Sequence, residues 1–163
     1  DVISSIDIAV MILDINQYIN DDGHLILSSK DISEQDFNPN MQWPPTQLAL
    51  QSIDLSRNSF KCIPLQIFSY TQLTYLDISR NALTGIPSEI KQLINLEKLI
   101  ALSNHLRIRQ IPTEELSSLH SLRLLDLRYN RKLKQSALDL LKKELLSHNS
   151  QLEIRCTVPS HED

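Results

Sequence analysis

Residues 50–60 read LQSIDLSRNSF, and three later stretches repeat them: LTYLDISRNAL at 73–83, LEKLIALSNHL at 96–106 and LRLLDLRYNRKL at 122–133. The shared frame is L-x-x-L-x-L-x-x-N-x-L, with Ile, Ala or Phe at some apolar places and Leu133 displaced by one position. The asparagines at 58, 81, 104 and 130 are spaced by 23, 23 and 26 residues. A period of this length marks a stacked array, because one such unit cannot bury its apolar face alone. Alternation within each copy predicts a short strand. Ile53 and Leu55, Leu76 and Ile78, Leu99 and Ala101, and Leu125 and Leu127 turn inward. Each Asn falls where the chain leaves the strand. Its amide can replace the backbone hydrogen bonds that a bend removes, so Asn58, Asn81, Asn104 and Asn130 are read as structural.

The segments between the copies read IPLQIFSYTQL, IPSEIKQLINL and IPTEELSSLHSL. Over about residues 48–134 the chain resembles the leucine-rich-repeat family, in its intracellular, 23-residue Ras-group form. The resemblance implies an α/β solenoid with a curved parallel sheet on its concave side, acting as a binding module. Pro64, Pro87 and Pro112 are expected at the return to the convex side, where a fixed φ helps and no ladder donor is needed. The third repeat is longer. His105 to Gln110 holds two extra residues, and one more precedes Leu122. This insertion should bulge at the edge, either as a binding element or as neutral drift.

Open ends of a solenoid expose core and need covering. Residues 1–48 read as an N-terminal cap with a degenerate first repeat. Val2 to Ile19 has roughly helical apolar spacing, stopped by Asp21-Asp22-Gly23. His24 to Ser28 reads as a strand with Leu25 and Leu27 inward and Lys30 in place of the Asn. Asp36 to Thr46 reads as a loop whose Trp43 packs on the cap. The four repeats occupy 49–134. Residues 135–163 form a C-terminal cap and tail: a helix N-capped by Ser136, with Leu138, Leu141 and Leu145 on one face, then a strand at 151–156.

Apolar residues make up 41% of the 163, so a core is possible, but aromatics are only 5%, so Leu and Ile must build it. Two glycines exclude a glycine-rich phosphate loop, and a net charge of −4 argues against a dedicated nucleic-acid binder. Residues 1–48 sum to −7 and residues 49–163 to +3, an asymmetry that can steer a partner. Cys62 and Cys156 fit no Cys-x-x-Cys pattern and no cysteine-rich cap, which points to a reducing, cytoplasmic setting. No apolar run is long enough to span a membrane. The absence of a starting Met suggests a piece of a longer or processed chain.

The histidines at 24, 105, 120, 148 and 161 are scattered, without metal-ligand spacing, and no nucleophile or Walker motif occurs. No cofactor, metal or catalytic residue is expected. Asp54 and Asp77 occupy equivalent strand places, roughly 5 Å apart across neighbouring strands. Paired carboxylates of this kind also occur in glycosidases. Arg57 and Arg80, three residues after each, are expected to compensate them as a charge ladder.

The outward strand positions form four columns: Ser52, Tyr75, Lys98 and Leu124; Asp54, Asp77, Ile100 and Asp126; Ser56, Ser79, Leu102 and Arg128; Arg57, Arg80, Ser103 and Tyr129. Ile100, Leu102 and Leu124 should face solvent beside Tyr75 and Tyr129, inside a charged surround. Such a patch marks a protein interaction site or is covered by another part of the full-length chain. Tyr and Arg carry much of the energy of interfaces. The candidate binding residues are therefore Asp54, Arg57, Tyr75, Asp77, Arg80, Lys98, Ile100, Leu102, Leu124, Asp126, Arg128 and Tyr129. The expected partner is another protein, met in a scaffold or adaptor role, with a Ras-like GTPase pathway component or an enzyme's substrate among the candidates. The resemblance also allows a substrate-recognition domain attached to a ubiquitin ligase, phosphatase or kinase. A basic edge at 123–134, with Arg123, Arg128, Arg131, Lys132 and Lys134, is either a solvated edge or a patch for anionic lipid or RNA.

Overall fold

The computed structural model of the chain describes residues 14–37, 43–45 and 49–156. Six three-residue strands, β1 (His24–Ile26), β2 (Ser52–Asp54), β3 (Tyr75–Asp77), β4 (Lys98–Ile100), β5 (Leu124–Asp126) and β6 (Glu153–Arg155), form one parallel sheet in chain order. The register sets equivalent residues side by side, so that Ile53, Leu76, Leu99 and Leu125 stand in one row. All four are fully buried, and the following inward places, Leu55, Ile78, Ala101 and Leu127, are at most 2% exposed. Removing a Leu or Ile side chain from water is worth about 1.5–3 kcal/mol. The rows thus supply the drive to stack.

The asparagines do what the bend requires. Asn81 Nδ2 donates to Leu55 O at 3.0 Å and Ile78 O at 3.1 Å, while its Oδ1 accepts from Phe60 N at 3.1 Å. Asn104 links Ile78 O and Leu83 N, and Asn130 links Ala101 O and Leu106 N, in the same way. Asn58 reaches Leu27 O and the backbone N–H groups of Lys30 and Ile32. Lys30 thereby joins the ladder through its backbone in place of an amide. The residue before each ladder position is left-handed: Ser29, Arg57, Arg80, Ser103 and Tyr129 have φ between 53° and 58°. An L-residue there costs roughly 1–2 kcal/mol, which the ladder bonds must offset.

The convex side is built from short helices. Pro64 (φ −57°) and Pro87 (φ −71°) start 3-10 helices at Leu65–Ser69 and Ser88–Gln92. Pro112 (φ −80°) starts an α-helix, α1 (Thr113–Ser117). The change follows from the one extra residue. Ile67 and Ile90 N–H groups bond three residues back, to Pro64 and Pro87, whereas Leu116 N–H bonds four back, to Pro112. The other two extra residues do not project as a loose loop. A 3-10 helix at Ile108–Gln110 folds back on the preceding repeat, with Arg107 N donating to Thr84 O and Ile86 N to Gln110 O. Leu106 is buried and Ile108 packs on the core, so only His105, Arg107, Arg109 and Gln110 are outward.

At the ends, the expected helix over Val2–Ile19 is a 3-10 helix at Ile15–Tyr18 in its described part, with Asp14 as N-cap. It stops before Asp21, and Val2 to Leu13 lie outside the described residues. Trp43 sits 5.2 Å from Phe37 and 6.3 Å from Tyr70, ring to ring, so it bridges the cap and the first repeat. The C-terminal helix, α2 (Gln135–His148), starts two residues earlier than the N-cap read at Ser136 places it. Lys134 holds the N-cap place and offers no side-chain bond, so Ser136 lies inside the first turn. Leu138, Leu141 and Leu145 are buried as expected.

Candidate functional site

The side chains that leave the sheet away from the core line the concave face. Their first column, His24, Ser52, Tyr75, Lys98, Leu124 and Glu153, and their second, Ile26, Asp54, Asp77, Ile100, Asp126 and Arg155, are set side by side by the register. The flanking strands add four residues that the repeat frame did not bring into the columns. Ile26 is 46% exposed, and His24 Nδ1 lies 2.6 Å from Ser52 Oγ. The alternation around Leu25 and Leu27 already carried that signal.

The acidic column is held by its own turns. Asp54 Oδ1 accepts from Ser56 N at 2.8 Å, Asp77 Oδ1 from Ser79 N at 2.9 Å, and Asp126 Oδ1 from Arg128 N at 3.1 Å. Such Asx contacts fix the chain as it leaves the strand. The expected compensation by arginine is absent. Among the described residues no ion pair joins Arg57 to Asp54 or Arg80 to Asp77. The left-handed φ of both arginines carries the chain off the strand direction that the ladder reading assumed. Tyr75 Oη donates instead to Asp77 Oδ2 at 3.3 Å. Partial burial, then the charges of Asp77 and Asp54, push the Tyr75 phenol up to about 12.

Asp126 differs from its row. It is 1% exposed, not a solvent-facing residue, because Arg128 covers it with Nε and Nη2 at 2.7–3.1 Å. Ser56 and Ser79 are also buried, so the third column opens only at Leu102 and Arg128. Ile100, Leu102 and Leu124 are half-buried, and Tyr129 is 60% exposed. They form a partly open apolar strip across β4 and β5, narrower than the freely exposed patch that the sequence suggests. Where Ile100 replaces Asp, the Leu102 N–H loses the carboxylate cap that Ser56, Ser79 and Arg128 have.

On the basic edge, Arg123 Nη1 is turned to the carbonyls of His120 and Leu122, and Arg128 is committed to Asp126. Arg131, Lys132 and Lys134 remain outward. On the convex side a shallow cleft of about 650 Å³ runs along α2 beside Ile108, Thr113 and Leu140. Among the described residues no group of three His, Cys, Asp or Glu side chains is placed to hold a metal. No helix among them is long and apolar enough to cross a membrane.

Comparison with known proteins agrees with this architecture. Residues 49–106 match the family model for the leucine rich repeat. An LRR protein of Leptospira interrogans is 30% identical, with a TM-score of 0.58 over 70% of this chain and 28% of its own. The functional domain of InlJ from Listeria monocytogenes is 22% identical, with a TM-score of 0.51 over 83% and 30% of the two chains. The LRR ectodomain of the receptor kinase GASSHO1/SCHENGEN3 from Arabidopsis thaliana is 23% identical, with a TM-score of 0.49 over 80% and 17%. This chain therefore spans less than a third of each of these structures. No curated relative matches it. The fold is an α/β leucine-rich-repeat solenoid, an architecture whose concave surface typically binds other proteins rather than catalysing reactions.

Proposed function

We propose that this chain is a protein-recognition module whose concave face docks a protein partner on the strip formed by Ile100, Leu102 and Leu124. The observation that carries the reading is the exchange at the third repeat. An Asp that caps the turn in three other repeats is replaced there by Ile100, which adds apolar surface outside the core and leaves the Leu102 N–H uncapped. A local rule given up without a gain in packing is the mark of a surface kept for binding. Tyr75 and Tyr129 flank the strip as anchors. Asp54, Asp77, Lys98, Arg57 and Arg80 form a rim of both signs, and the buried Asp126 presets the Arg128 guanidinium.

The role we infer is that of an intracellular scaffold or adaptor, resembling the Ras-group arrays. The alternative is the substrate-recognition part of a larger enzyme. Both cysteines are free thiols, which suits a reducing compartment. The test compares the I100E/L102E variant with I94E, a control at an apolar residue that is 64% exposed outside the strip. Partners retrieved by the wild-type chain should bind I100E/L102E at least about tenfold more weakly and I94E normally. Equal binding by all three, or a loss that only tracks a fall in Tm, refutes the reading. Binding to anionic vesicles or RNA that weakens steeply with salt would support the basic edge at 123–134 instead.

A further inference from the structure

The C-terminal edge of the sheet is built differently from its interior. Inward places in the repeats are at most 2% exposed, whereas on β6 Ile154 and Cys156 are only partly buried. Among the described residues no strand pairs with the outer side of β6. The hydrogen bonds fix which groups that side presents. Glu153 N donates to Arg123 O, and Leu127 N donates to Arg155 O, so residues 153 and 155 face β5. Alternation then turns the N–H and C=O of Ile154 to the open edge. The β1 edge, by contrast, is met by an antiparallel bridge between Ile19 and Leu25.

The three residues of β6 are self-complementary. If a second β6 runs antiparallel about a two-fold axis through Ile154, the two Ile154 residues exchange both N–H···O bonds. Glu153 of each copy then lies opposite Arg155 of the other, in the closer, non-hydrogen-bonded kind of pair. In the single chain Arg155 Nε already reaches Glu153 Oε1 at 2.6 Å, so both charges stand on the same face, ready to exchange partners. A parallel pairing would stagger these charges and would not close as a two-fold. We propose that the outer edge of β6 is a homodimer contact, in which two copies join their sheets antiparallel through Glu153, Ile154 and Arg155.

A contact this short belongs with weak, transient interfaces, so the dimer should grow in over roughly 10 to 1,000 μM rather than persist on dilution. Sedimentation equilibrium of the whole chain across that range is the measurement. E153R and R155E each place like charges opposite one another and should stay monomeric. Mixing the two variants in equal amounts should restore the dimer, and so should the E153R/R155E double variant. Each variant should keep the wild-type Tm, because neither side chain enters the core. In a C62S/C156S background, I154C should form an interchain disulfide on mild oxidation, since the hydrogen-bonded pair brings the two Cα atoms to about 5.5 Å. A wild-type chain that is monomeric throughout, or a dimer indifferent to the charge exchange, overturns the proposal.

Discussion

Replacing Asn104 by Ala removes one rung of the ladder and little else. Its side chain accepts from Leu83 N at 3.0 Å and donates to Ile78 O at 3.0 Å, with longer contacts to Ala101 O and Leu102 O at 3.3 Å. Asn104 is 4% exposed and Leu83 is fully buried, so water cannot replace the lost partner at that N–H without opening the turn. A buried donor left unpaired costs about 1–3 kcal/mol. The second carbonyl contact adds about 1 kcal/mol more, giving about 2–4 kcal/mol in all. The same change at Asn58, which is only partly buried, should cost about half as much, because water reaches its partner Lys30 N. Urea denaturation followed by circular dichroism gives both values. Fluorescence of the lone tryptophan, Trp43, near the N-terminal end, reports whether the array still unfolds as one unit. A loss under about 0.5 kcal/mol for N104A, or an Asn58 loss equal to it, would refute the view that burial of the rung sets its worth.

Gly85→Ala places a Cβ 2.6 Å from Gln110 Cβ and 2.8 Å from Gln110 O, so the insertion must shift, and the variant should lose about 1–3 kcal/mol by thermal unfolding. R128A strips Asp126 of both its cation and the side chain that covers it, and should lower Tm by more than R131A, whose side chain is outward; equal effects would show that the pair is not structural. Tyr70 and Tyr75 are pushed up to about 12, the first by burial and the second by burial and then the nearby carboxylates. Their unfolded value is near 10, so the unfolded chain releases these protons first. The stability they confer is full below pH 10 and falls away as pH rises from about 10 to about 12. Ultraviolet titration should show two late steps, one removed by Y70F and the other by Y75F; phenols fully ionised by about pH 11 would contradict this.

The fold was legible because its determinants are local and repeated. The L-x-x-L-x-L-x-x-N-x-L frame states the strand, its inward face and the turn in eleven residues, and each later copy repeats the same reading. The Asn ladder followed from what a bend must satisfy. Charge partners were not legible in this way, since they depend on where the chain points after the strand. The left-handed φ at Arg57 and Arg80 takes both arginines off the strand, and the aspartates turn to backbone N–H groups instead. At Arg128, one place earlier in the frame, the guanidinium still reaches Asp126 and buries it.

Sequence by itself thus determined the period, the core rows, the ladder and the concave columns, because each rests on spacing along one short segment. The tertiary structure alone decided how far the columns open, and it did so through packing between repeats. It narrowed the apolar strip to half-buried Ile100, Leu102 and Leu124. It closed Ser56, Ser79 and Asp126. It folded the insertion at 105–110 onto Gly85 and Ile86 instead of leaving it as a loop. It also placed the unpaired edge of β6, which no repeat frame reveals, since an edge exists only once the strands have been laid side by side.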